Sequence, residues 1–137
     1  QITMTDRAYK TGIYLRKMTR RESAALMINT IAAYYLDLGR FQDSLRTSEL
    51  MMELDAKSVG GMLTAGSSYY KLLERDFTTK YRTIHEIPVA DRATMHEYRS
   101  KNIAYFKQAE ALGWREPAAD HNAKYLARVK AAQGGVK

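Results

Sequence analysis

At 137 residues, with 45% apolar and 27% charged side chains, the chain has the size of one compact domain and enough apolar content for a core, which excludes wholesale disorder. Basic side chains outnumber acidic ones by 22 to 15, a formal charge of +7. The absence of cysteine excludes a disulfide scaffold, a thiolate zinc site and a cysteine nucleophile, and is compatible with the cytosol and the periplasm alike. No apolar run approaches the roughly 20 residues that span a bilayer, so no transmembrane segment is expected and the protein reads as soluble. The first residue is Gln1 rather than Met, which points to a processed product or a piece of a longer chain.

In chain order, residues 5–18 predict an N-terminal helix with Tyr9, Ile13 and Met18 inward. Thr19-Arg-Arg-Glu22 is a capping box, in which each side chain satisfies a free backbone N–H. The helix that it opens carries Ala25, Ile28, Ile31, Ala32, Tyr35 and Leu38 at helical spacing and stops at Gly39. A second stripe, Phe41, Leu45, Leu50, Met51 and Leu54, predicts its antiparallel partner. A further helix is expected over 57–73, with Met62, Ala65, Tyr69, Leu72 and Leu73 inward. Phe77, Tyr81 and Ile84 suggest a short helix, and Pro88 holds the residue before it extended. Asp91 is the expected N-cap of a long helix to Leu112, ended by Gly113. Pro117 is expected to open a last helix using Ala123, Leu126, Ala127 and Val129. The chain reads as all-α.

Slid against itself by 34 residues, the chain aligns Ile28-x-x-Ile31-Ala32-x-x-Tyr35 with Met62-x-x-Ala65-Gly66-x-x-Tyr69, and Leu38 with Leu72. Any antiparallel bundle places small and aromatic residues at such spacings, so the residues alone leave a plain helical bundle open. An offset of 34 in helix–turn–helix units resembles the tetratricopeptide repeat (TPR) family. The first unit, about Ala25 to Ser58, matches best. In the second, Leu73 stands where the turn glycine is expected, and the second-helix run Asn102-Ile103-x-Tyr105-Phe106-x-x-Ala109 arrives about 24 residues late. An insertion near residues 74–97 is inferred. The domain expected is thus an N-terminal helix (1–22), a first repeat (23–58), a second with its insertion (59–112) and a capping helix with tail (113–137). The resemblance implies a short right-handed superhelix of about six or seven helices.

The residues offer little chemistry. His85, His96 and His121 lack metal-ligand spacing and HExxH is absent. Gly60-Gly61 is not followed by Lys-Ser/Thr, and no Gly-x-Ser-x-Gly occurs. Glu49 and Glu53, one turn apart, fit a solvated helix face. No catalytic residue, metal or cofactor is therefore expected. Within the insertion, His85, Arg92 and His96 are the residues to watch. Residues 1–24 carry a net +4 and 25–58 a net −2. The densest basic cluster, Arg16, Lys17, Arg20 and Arg21, suits phosphate contacts or a solvated face, and no aromatic RNA-binding motif accompanies it.

The resemblance implies a concave groove lined by the first helix of each repeat. Asn29, Thr30, Ala33 and Asp37 would face it from one unit, and Leu63, Thr64, Ser67, Tyr70 and Lys71 from the next. The clamp with which some relatives grip a terminal carboxylate looks absent, since Asn29 and Ala33 stand where Lys and Asn would be needed. The expected function is a non-catalytic module that binds a protein or peptide segment in this groove. An accessory domain of a larger enzyme is the alternative, and a nucleic-acid binder using the basic cluster a second one.

Overall fold

The computed structural model describes residues 6–14, 16–117 and 119–134. They form six α-helices and no strand: α1 (Asp6–Thr11), α2 (Arg20–Asp37), α3 (Phe41–Leu54), α4 (Val59–Leu73), α5 (Val89–Ala111) and α6 (His121–Gly134). A π-turn (Glu74–Thr78) prolongs α4, and a 3₁₀ turn (Ile84–Glu86) precedes α5. No helix among the described residues is long and apolar enough to cross a membrane.

Local chemistry sets most boundaries. Thr19 Oγ1 accepts from the Glu22 amide while the Glu22 carboxylate accepts from the Thr19 amide, so the capping box opens α2 as expected. Gly39 ends the turn after α2 with φ +74°, a conformation that strains a residue bearing a Cβ. Ser58 caps α4 by accepting from the Gly61 amide.

The central helix is α4, which packs on α2, α3 and α5. Its small residues permit this. A Cβ on Gly66 would stand 2.8 Å from the Phe106 ring of α5, and one on Gly60 would stand 2.9 Å from Asn29 Oδ1 of α2. Ala32, Ser44, Ser48, Ala65 and Ser68 are fully buried where α2, α3 and α4 meet. Ser44 Oγ donates to the Ala32 carbonyl at 2.8 Å, and Ser68 Oγ lies 3.1 Å from Ser44 Oγ. Beyond this junction, Tyr69 stacks on Tyr105 and meets Tyr98 at a tilt of 50°, joining α4 to α5 over Leu45 and Leu72.

Several expectations need correction. The N-terminal helix is only six residues long, ending at Gly12 (φ +66°), and Tyr9 points outward; residues 1–5 lie outside those described. Ile13 does pack inward, against Val59, Met62 and Ala109. Ile31 and Leu38 are half-exposed, as is Leu50. For Ile31 and Leu38 the reason is that α3 and α4 cover two sides of α2, and among the described residues no other helix packs closely on it. At Leu73, where the resemblance implies a turn glycine, the chain does not turn: it continues through the π-turn to bury Phe77 against Ile87 and Met95. The first helical residue of α5 is Val89, with Pro88 rather than Asp91 as its N-cap. Pro117 stays outside α6, which begins at His121. Within α6, Ala123, Leu126 and Ala127 are exposed and only Val129 is half-buried, so the expected stripe is not covered.

Candidate interaction face

Helices α2 and α4 lie side by side and run in the same direction. Asn29 meets Gly60 near the start of α4, while Asp37 and Lys71 share a hollow near the ends of both helices. Two turns produce this: the short one at Gly39 reverses α2 into α3, and residues 55–58 reverse α3 into α4. The residues opposite the core then share one open face.

On that face are two clefts. The first, of about 460 Å³, lies between α2 and α4, with Leu26 and Asn29 on one wall and Gly60 and Leu63 on the other. The segment entering α2 crosses its end, contributing Ile13, Tyr14, Arg16 and Met18. That segment is tied down at several points. Thr11 Oγ1 donates to the Leu112 carbonyl, and Lys57 Nζ donates to the Thr11 carbonyl. Arg16 pairs with Glu22 at 2.8 Å and with the buried Asp55 at 2.6 Å. The Glu22 carboxyl is held below its ordinary range, first by the Thr19 amide, with Arg16 assisting and burial opposing.

The second cleft, of about 380 Å³, lies between α4 and α5. Ser67 and Tyr70 come from α4, Asn102, Phe106 and Glu110 from successive turns of α5, and Trp114 and Glu116 from the irregular stretch after it. Asn102 is held by donating from Nδ2 to the Gly66 carbonyl at 2.8 Å. The rings of Phe106 and Trp114 lie 6.0 Å apart. Trp114 lines both clefts and so stands between them.

Of the residues expected in a groove, Asn29 and Leu63 fall in the first cleft and Ser67 and Tyr70 in the second. Asp37 and Lys71 lie apart in the hollow at the far end, where Lys71 pairs with Glu74. Thr30 and Ala33 are exposed on α2, and Thr64 is half-buried, its carbonyl accepting from Ser68. Sequence reasoning missed Trp114, Glu110 and Glu116 as lining residues. The available signal was the 102–106–110 spacing on α5, with the sole tryptophan placed just after a helix-stopping glycine. No family model, curated protein or solved structure matches this chain.

The basic cluster is partly neutralised. Arg16 is committed to two carboxylates and Arg21 donates to the Glu53 carbonyl, while Lys17 and Arg20 are exposed. From the first turn of α5, Arg92 clamps the 3₁₀ turn before it by donating to the carbonyls of His85 and Ile87. The side chains of His85 and His96 are exposed, and that of His121 lies outside the described residues. Among the described residues there is no cluster of three or more potential metal ligands. Glu49 faces the tyrosine stack: burial first, with the Glu49 charge contributing, pushes the Tyr69 and Tyr105 hydroxyls above their ordinary range.

Proposed function

We propose that the chain is a non-catalytic, TPR-like helix-pair module that binds a protein segment across the open face of α2, α4 and α5. The observation that carries this reading is the pair of clefts meeting at Trp114, with apolar and aromatic walls set between polar groups on rigid helices. Concave, mostly apolar surfaces with a few placed hydrogen-bonding groups suit side chains of a partner. Large apolar side chains exposed on α2, among them Met27 at 78% and Tyr34 at 60%, also fit a protein that associates with other proteins. The repeat reading draws support from one hydrogen bond made twice, Ser44 to the Ala32 carbonyl and Asn102 to the Gly66 carbonyl.

The test is a peptide array probed with the purified chain. Peptides held by the wild type should be lost with Leu63→Glu in the first cleft and with Tyr70→Ala in the second. Binding that neither substitution disturbs would place any recognition elsewhere.

A further inference from the structure

The second cleft carries a chemistry that its neighbours lack. Its walls include three aromatic rings, Tyr70, Phe106 and Trp114, with two carboxylates, Glu110 and Glu116, at the side formed by the end of α5 and the stretch after it. On a chain of net charge +7, no basic side chain among the described residues lines this cleft. Neither carboxylate takes part in an ion pair among the described residues. Arg115, between them in the chain, turns its guanidinium to the carbonyls of Glu110 and Trp114. Lys71, near the Tyr70 ring, is already paired with Glu74.

Aromatic faces attract cations through their negative quadrupole, most strongly for the indole ring. Carboxylates beside such a face add charge-assisted hydrogen bonds. A flat guanidinium satisfies both at once: it stacks on a ring and presents a fork of N–H donors in its plane to an oxygen pair, whereas an ammonium offers a compact, strongly hydrated point charge. We infer that the cleft between α4 and α5 is the pocket for an arginine side chain of the partner segment, stacked among Tyr70, Phe106 and Trp114 and paired with Glu110 and Glu116. The inference deepens the protein-binding reading of this face and rests on it. Asn102 Oδ1 and Ser67 Oγ supply further acceptors on the wall, beside the backbone of an arriving segment.

Trp114 is the only tryptophan and lines both clefts, so its emission reports binding at their junction and the Glu110 and Glu116 substitutions assign it to this cleft. The experiment titrates the full chain with a blocked Ser-Gly-Arg-Gly-Ser peptide and with the same peptide carrying citrulline, which keeps the shape and loses the charge. A single anchor of this kind should give a saturable change with a dissociation constant on the order of 1 mM. The citrulline peptide should give none in that range. The Glu110→Gln/Glu116→Gln variant, with unchanged helical circular dichroism, should bind at least about tenfold more weakly, since the charge pairing is gone. Equal responses to both peptides, or an unaltered affinity in that variant, would overturn the arginine assignment. So would no response to the arginine peptide when array peptides without arginine still bind in a manner sensitive to Leu63→Glu, an outcome that leaves the protein-binding reading standing.

Discussion

Asn102 Nδ2 donates to the Gly66 carbonyl at 2.8 Å, and Ser44 Oγ donates to the Ala32 carbonyl at the same distance. Ala32 and Gly66 are the residues that the self-alignment superposes. Each carbonyl belongs to the leading helix of a pair and each donor to the helix that follows. The donor lies 12 residues on in the first pair and 36 in the second, a difference of 24 that equals the delay read in the sequence. The longer asparagine serves where the shorter serine serves in the first pair. Asn102→Ala and Ser44→Ala should each lower stability by about 1 kcal/mol, the net worth of one such bond. Denaturant midpoints give the answer, and a neutral result for both would remove the energetic content of this correspondence.

Gly66 lets α5 approach α4. Gly66→Ala should cost about 1–2 kcal/mol, because the new methyl meets a packed ring. Adding Phe106→Leu should cost less than the two changes summed, since the ring is what the methyl displaces. Strict additivity in thermal melts would show that the approach is not the constraint.

The entering segment depends on a half-buried ion pair. Asp55→Asn keeps the acceptor for the Lys57 amide but removes the partner charge of Arg16. Stability should fall by about 1–2 kcal/mol, within the range for hydrogen bonds to charged groups. Cleavage by trypsin after Arg16 and Lys17 should also quicken, because this pair holds the segment against α3. Unchanged proteolysis would show that the remaining ties, at Thr11, Lys57 and the Arg16–Glu22 pair, suffice.

The tyrosine stack predicts alkaline lability with a definite sign. The hydroxyls of Tyr69 and Tyr105 ionise at a higher pH folded than unfolded. The unfolded chain therefore loses those protons first, and stability must fall as pH rises past the ordinary tyrosine value of 10.0. Below that value the neutral stack contributes fully. In the Tyr69→Phe/Tyr105→Phe variant the decline above that pH should be shallower than in the wild type. Parallel decline in both proteins would assign the alkaline loss to other groups.

What the sequence made legible was local. The Thr19–Glu22 box, the stop at Gly39, the extended Ile87 and the stop at Gly113 follow from side-chain and backbone chemistry within a few residues, and the structure has each of them. Neighbours were harder to read. Ile31 and Leu38 sit on an apolar stripe, but periodicity cannot tell a face that meets α3 from one that meets nothing. The same holds for Ala123, Leu126 and Ala127 on α6. Of the residues that the resemblance put on a groove, Asn29, Leu63, Ser67 and Tyr70 line the clefts, while Trp114 and Glu116 reach them by way of an irregular stretch, for which no periodicity exists. The ion pair between Arg16 and Asp55 joins residues 39 apart and turned one member of a basic cluster into a strut.

The claim that most needs testing is that protein segments bind across the α4 face with Trp114 between the two clefts. Backbone amide shifts, followed by NMR as a peptide taken from the array is titrated in, address it most directly. Shifts should concentrate at Leu63, Ser67, Tyr70, Asn102, Phe106 and Trp114. Shifts centred instead on the exposed side of α3, at Gln42, Arg46 and Leu50, would contradict the account.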